Sequence, residues 1–305
     1  MEIQITFLGT SQAIPTITRN HTAILINYDS NNLLFDCGEG TQRQFRKAKI
    51  NPCRLTHLFI THWHGDHILG IPGLFQTLAL NNYSKTLQIY GPKGTKKYIK
   101  EIFNIFMPVK KIKIQIHEIN SKKVLKTPDF EIQSTKLNHN CPCLGYSFIE
   151  KNKLRINKQK LNKILKKIKP KKQDLKKIQQ LTKGKDIIIN KQKLKSDQLT
   201  YEQKGKKITI ILDTKITNNA INLAKNSDLL ITESTYEDKE KELASKYKHL
   251  TCTQAAQIAK KANVKQLFLT HISQRYEFKE KKLLNQARKI FPKTRLAEDL
   301  TKVQI

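Results

Sequence analysis

The chain has 305 residues, enough for one large domain or two small ones, and 38% of them are hydrophobic, which excludes a disordered chain. No run of eighteen apolar residues and no charged segment leading into an apolar one occurs, so no membrane span and no signal peptide are expected, and a cytoplasmic location is. With 57 Lys and Arg against 25 Asp and Glu the formal net charge is +32. That excess repels itself on a folded surface and calls for an anionic partner, nucleic acid first and an anionic membrane surface second.

Along the chain, Glu2 to Leu8 alternates as a strand does, and Thr22 to Tyr28 pairs with Asn32 to Asp36 across the turn Asp29-Ser30-Asn31. The apolar run Leu55 to Thr61 predicts a buried strand that ends in the polar loop His62-Trp63-His64-Gly65-Asp66-His67. A helical pattern follows around Leu74 and Leu78. The composition then shifts: Lys151 to Lys207 holds 21 Lys and Arg against 4 Asp and Glu, a local excess of 17 positive charges. Leu161, Ile164, Leu165 and Ile168 recur there at helical spacing, Pro170 interrupts, and Leu175, Ile178 and Leu181 resume a narrower stripe. Such a thin apolar face predicts a protruding basic arm with a poor core.

Beyond the arm, Lys207 to Asp213, Leu229 to Glu233 and Leu267 to His271 are apolar strands that each end on a polar residue, with helices such as Thr253 to Ala262 between them. That alternation predicts an α/β architecture whose site is assembled along one sheet edge.

The cysteines, Cys37, Cys53, Cys141, Cys143 and Cys252, are odd in number and lack C-x-x-C spacing, so reduced thiols are expected. Metal chemistry instead points to His62, His64, Asp66 and His67, because imidazole and carboxylate are ligands that Zn²⁺ takes. Further ligands must come from later in the chain, where the candidates are His139, Asp213, Glu233, His249 and His271. His21, His57 and His117 lack such a context and read as structural or surface residues.

The H-x-H-x-D-H loop, a later His, an Asp ending a strand and a final His resemble the metallo-β-lactamase superfamily. Within it the chain resembles the ribonuclease Z family of tRNA 3′-processing endonucleases. The stretches that carry this are Phe7-Leu8-Gly9-Thr10-Ser11, Leu34-Phe35-Asp36-Cys37-Gly38-Glu39-Gly40, Thr232-Glu233-Ser234-Thr235-Tyr236, His249-Leu250-Thr251 and Thr270-His271-Ile272-Ser273. The resemblance implies an αββα sandwich, two packed mixed sheets flanked by helices, built from residues 1–150 and 205–305, with 151–204 as an inserted Lys-rich tRNA-binding arm.

It implies two Zn²⁺ per subunit, with Mn²⁺ or Fe²⁺ able to use the same ligands. One ion would be held by His62, His64 and His139, the other by Asp66, His67 and His271, and Asp213 would bridge them. A hydroxide between the metals would attack phosphorus, with Asp66 as proton acceptor and His249, oriented by Glu233, as proton donor. The implied substrate is precursor tRNA and the implied assembly a homodimer, without membrane or organic cofactor.

Ser273 and Arg275, just after His271, are expected to meet phosphate oxygens, and the turn at Thr10 and Ser11 to present backbone N–H groups to them. In the arm, Lys166, Lys167, Lys169, Lys171, Lys172, Lys176 and Lys177 are expected to bind RNA phosphates. Three departures from the family pattern stand out. Ile17 replaces a usual lysine, Leu212 a usual glycine, and the Gly-Pro motif at the arm's tip is absent. The rival readings are a small-ester hydrolase of the same fold, a broader phosphodiesterase, and an RNA-binding protein with an inactive site.

Overall fold

Two seven-stranded sheets organise the chain in the computed structural model, which describes residues 2–106, 112–119 and 123–305. The first runs in the order Lys302–Gln304, Ile3–Gly9, Ala23–Tyr28, Asn31–Phe35, His57–Phe59, Thr86–Gly91, Lys113–Glu118. Its first three pairings are antiparallel and its last three parallel. The expected hairpin is tighter than the sequence suggests. Tyr28 pairs with Asn31, so only Asp29 and Ser30 turn, with Asp29 left-handed at φ 54°.

The second sheet runs Thr294–Leu296, Leu267–Thr270, Leu229–Glu233, Lys207–Ile211, Cys143–Glu150, Phe130–Leu137, Lys123–Lys126. Its first four strands are mutually parallel, and Leu229–Glu233 is buried along its whole length. Burial on both faces explains why such strands read as continuous apolar runs. Parallel neighbours in register also end at one edge, which brings the residues after Ile211, Thr232 and Thr270 together.

Aromatic rings join the inner faces of the two sheets: Phe7 stacks on Phe268 at 5.4 Å, and Tyr146 meets both Phe35 and Phe59. The outer face of the first sheet is covered by helices Thr41–Lys47, Ile71–Leu80 and Thr95–Phe106, which bury Phe45, Leu74, Leu78 and Ile99 against Leu25 and Leu34. Asn218–Ala224, Cys252–Lys261 and Lys281–Ile290 do the same for the second, through Ala220, Ala256 and Leu283. Each of these helices spends one apolar face on a sheet, and the result is the αββα sandwich. Helix Cys252–Lys261 starts in a capping box between Thr251 and Gln254, which fixes the chain just after His249.

A second compact unit comprises Thr127–Phe130 and Ile149–Lys206. Its helix Lys158–Ile168 is capped by the Asn157 side chain, which accepts the Lys160 N–H, and stops at left-handed Lys169 before Pro170. A short helix Lys172–Leu175, the 3-10 stretch Lys176–Lys183, the hairpin Ile187–Ile189 with Gln192–Leu194, and the strand pair Lys153–Ile156 with Thr200–Gln203 follow or flank it.

The expectation of a poor core is corrected here. Leu161, Leu181, Ile187, Ile189, Leu194 and Leu199 are all buried in one cluster. The stripe on each helical segment is narrow, but it closes on the isoleucine hairpin, and no single segment reveals that. Lys166, Lys167, Lys169, Lys171, Lys176 and Lys177 are exposed, with Lys177 paired to Asp174 at 2.9 Å. The side chain of Lys172 lies outside the described residues.

Candidate metal centre

Three of the strand ends that meet at the site turn through left-handed backbone: Asp36 at φ 56°, Asp213 at φ 36° and His271 at φ 56°. None is glycine, so each conformation costs about 1 kcal/mol and is held by its surroundings. Leu212 is fully buried and is not left-handed, so this backbone needs no glycine before Asp213. Gly38 serves close approach: a Cβ there would come within 2.5 Å of the Asp66 carbonyl oxygen.

The side chains converge in two groups. His62 Nε2 and His139 Nε2 each lie 3.1 Å from His64 Nδ1, and 3.5 and 3.6 Å from Asp213 Oδ2. His67 Nε2 lies 3.1 Å from His271 Nε2, and these two nitrogens lie 3.4 and 3.2 Å from Asp66 Oδ2. They are also 3.5 and 3.3 Å from Asp213 Oδ1. One oxygen of Asp213 therefore faces each group.

The residues fit divalent metal ions. Asp213 Oδ1 is buried and has no hydrogen-bond partner among the described residues, although a buried carboxylate oxygen is costly to leave alone. Ring nitrogens about 3 Å apart, facing carboxylate oxygens, are placed as donors around a common cation. Burial alone would raise the Asp213 carboxyl, yet His271, His67, His249 and His62 around it hold it well below the usual carboxylate range. Burial and the neighbouring His67 push His62 well below the usual imidazole range, while the charges of Asp66, Asp213 and Asp36 outweigh burial and hold His67 well above it.

His249 stands beside these groups and forms a third candidate set with Asp213 and His271. Burial would lower its pKa, but the charges of Glu233 and Asp213 raise it to about 9. Its Nδ1 is 2.9 Å from Glu233 Oε2, and Glu233, fully buried, accepts the Thr214 N–H at Oε1. A cleft of about 310 Å³ opens over His64, His139 and His249, with Tyr236, Tyr247 and Arg275 on its walls. Arg275 is held there by Glu240 at 2.6 Å and by the Tyr236 ring beneath it.

The remaining expected residues are placed differently. Ser273 is buried and donates to Gln274, away from the cleft lining. The expectation for Thr10 and Ser11 is corrected, because both backbone N–H groups donate to the Asn20 carbonyl. Their hydroxyls donate to Asp299 and to the Ile14 carbonyl, so neither residue has a donor left for phosphate. Ala13 supplies the N–H that reaches the site instead, donating to Asp66 Oδ2 at 2.9 Å. Ile17 is 89% exposed and its N–H donates to Glu277.

His21 bonds the Ala13 carbonyl, while His57 and His117 stack on Tyr90, outside the two groups. All five cysteines are free. Sequence reasoning missed Asp36, Thr61 and Thr235. The available signals were that Asp36 ends an apolar run just as Asp213 does, and that Asp36 and Thr235 lie in stretches that carry the family resemblance.

Comparison with known proteins sets this centre in a family. A profile of the family described as Anti-Pycsar protein Apyc1 matches residues 3–154. Ribonuclease Z of Methanothermobacter thermautotrophicus is 38% identical over 303 residues, covering 99% of this chain and 97% of that one. Ribonuclease Z of Nanoarchaeum equitans is 39% identical over 273 residues, covering 90% and 84%. Among solved structures, the short form of human tRNase Z matches 98% of both chains with a TM-score of 0.71 at 27% identity. The metallo-β-lactamase fold protein YhfI from Bacillus subtilis reaches the same TM-score at 17% identity, a likeness of fold alone. Near-complete coverage at this identity, on this fold and with this donor set, means that the chain belongs to the ribonuclease Z family of endoribonucleases, hydrolases of the metallo-β-lactamase fold.

Proposed function

We propose that the protein is a two-zinc endoribonuclease that removes the 3′ trailer from precursor tRNA, leaving a 3′-hydroxyl on the tRNA and a 5′-phosphate on the trailer. The observation that carries this reading is Asp213, whose two oxygens each face one donor group, beside a cleft that His64 and His139 line together with Arg275 and His249. Zinc suits imidazole and carboxylate donors, with Mn²⁺ or Fe²⁺ as alternative occupants. His62, His64 and His139 would hold one ion, Asp66, His67 and His271 the other, with Asp213 shared. When bound, such a pair supplies a water acidic enough to ionise at neutral pH and offsets charge on the phosphate.

The chain's own groups do the rest. Asp66, held by the Ala13 N–H, accepts the proton of the attacking water. As the new P–O bond forms, the bond to the ribose 3′-oxygen breaks, and that oxygen needs a proton. His249, aligned by the buried Glu233 carboxylate at 2.9 Å, is the group placed to deliver it. Arg275, braced on Tyr236 and Glu240, meets a non-bridging phosphate oxygen. The basic unit adds a sequence-independent grip on the RNA backbone through its exposed lysines. A cytoplasmic homodimer is the family's implied assembly, and no helix among the described residues is long and apolar enough to cross a membrane.

The test is incubation of zinc-loaded protein with a 3′-extended tRNA transcript, followed by end-mapping. A single chelator-sensitive cut near the acceptor end, with a 3′-hydroxyl on the tRNA, is the expected result. Tight RNA binding without a cut would overturn the reading.

A further inference from the structure

Two buried carboxylates that lie outside the donor groups sit in matched hydrogen-bond networks, one from each half of the sheet-bearing unit. In the first, Asp36 Oδ1 accepts the Thr61 N–H at 2.7 Å. Its Oδ2 accepts both the Thr61 hydroxyl and His67 Nδ1–H, each at 2.7 Å. In the second, Glu233 Oε1 accepts the Thr214 N–H at 2.6 Å, and Oε2 accepts the Thr235 hydroxyl at 2.7 Å and His249 Nδ1–H at 2.9 Å.

The matching extends to the hydroxyls. A hydroxyl has one proton to give, and an ionised carboxylate can only accept, so each threonine spends its proton on its carboxylate. Its oxygen then faces a second imidazole: Thr61 Oγ1 lies 3.0 Å from His62 Nδ1, and Thr235 Oγ1 lies 3.2 Å from His271 Nδ1. A further acceptor, the His271 carbonyl, lies 3.2 Å from Thr235 Oγ1, and the shorter, charged Glu233 contact wins the proton. Asp36, Thr61, His62 and His67 are fully buried, as are Thr214, Glu233, Thr235 and His271, so water does not substitute for these partners.

We infer that Thr61 and Thr235 are positioning residues, each the pivot of a carboxylate–hydroxyl–imidazole relay that fixes the tautomer and aim of a metal-ligating histidine. By holding Nδ1 protonated, each relay turns the Nε2 lone pair of His62 or His271 toward its donor group. The relays differ in what they connect. Asp36–Thr61 ties His62, in one donor group, to His67, in the other, and so couples the two metal sites. Glu233–Thr235 ties His271, which faces Asp66 and His67, to the proton donor His249 and, among the described residues, makes no contact with His62, His64 or His139 through this network. The inference rests on the proposed reading of these imidazoles as metal ligands.

The test uses the whole zinc-loaded chain with Thr61→Val, Thr235→Val and the corresponding serine variants. Metal release to a chromophoric chelator is read without RNA, and kcat and KM are read on the tRNA transcript. Thr61→Val is expected to weaken both metal-release steps by about 10–100-fold. Thr235→Val is expected to weaken one step by a similar factor, to lower kcat at least tenfold, and to leave KM within about twofold. Serine, which keeps the hydroxyl, should restore wild-type release and the visible spectrum of the cobalt-substituted protein at both positions.

Wild-type release from both valine variants would overturn the inference. So would serine variants as weak as valine, or equal loss of both steps in Thr235→Val. If a valine variant does not fold, alanine at that position is read in its place by the same release measurement. Release that follows the expected pattern while tRNA stays uncut would support the relays and overturn the proposed function instead.

Discussion

The sheet-bearing unit and the basic unit treat charge in opposite ways. In the first, Asp36, Asp213 and Glu233 are at most 2% exposed; Asp36 and Glu233 are surrounded by imidazoles, hydroxyls and backbone N–H groups, and Asp213 by imidazoles, at defined distances. In the second, Lys166, Lys167, Lys169, Lys171, Lys176 and Lys177 are exposed, over a small apolar cluster around Leu181. A buried charge is stable only where its partners are built around it, so its neighbourhood is specific and a single change is severe. Exposed charges act by number and reach, so single changes are mild and salt screens them.

The largest expected effect lies at the buried extreme. Asp213→Ala should abolish RNA cleavage, a loss of at least about 10⁴-fold, and reduce bound metal, because one carboxylate faces both donor groups. Full activity with one metal retained would remove its shared role. The opposite extreme is tested by Lys166, Lys167, Lys169 and Lys171 changed together to Gln. Affinity for tRNA should fall about 10²–10³-fold at 0.1 M salt, and the slope of log affinity against log salt should flatten by about 3–4. Hydrolysis of a small phosphodiester should not change. Equal losses on both substrates would erase the contrast between the units.

A third change sharpens the comparison within the basic unit. Leu181 is fully buried in that unit's cluster of leucines and isoleucines. Leu181→Ala should destabilise that unit by about 2–4 kcal/mol. Amide exchange across 149–206 should accelerate, while small-phosphodiester hydrolysis by the other unit should hold at the wild-type rate.

The same contrast governs what can be read from the sequence. Asp213, Glu233 and His271 are legible because parallel strands built of apolar and threonine residues lead straight into a carboxylate or imidazole at their carboxyl ends. Asp36 ends its strand in the same way, yet it follows a hairpin strand, where a polar end looks like the start of a loop. Thr61 and Thr235 are not legible, since a threonine beside a strand reads as ordinary β-propensity. Thr10 and Ser11 mislead for another reason. The turn is real, but the carbonyl that takes both amides belongs to Asn20, a pairing that local pattern does not carry. Strand order is hidden likewise, as where Gln304, at the far end of the chain, pairs with Gln4.

The smallest expected effect belongs to a half-buried ionisable group with no ion pair among the described residues. His57 starts the strand His57–Phe59 and stacks against Phe59 and Tyr90, with Thr56 Oγ1 at its Nδ1. Burial first, and the nearby His117 second, lower its pKa to about 4. In the unfolded chain it titrates near 6.5, so between about pH 6.5 and 4 the unfolded state binds the extra proton and the folded state does not. Stability from this group is therefore complete above pH 6.5 and is lost as pH falls toward 4, by roughly 2–3 kcal/mol. His57→Phe keeps the ring stack and removes the proton site. The difference in unfolding free energy between this variant and the wild type should swing in the variant's favour on going from pH 7 to pH 4.5. Subtracting one protein from the other cancels the acid loss of metal from the donor groups, which both share. A difference that stays flat across that window would mean that His57 is protonated in the fold, and that an unpaired histidine can be buried here at little cost.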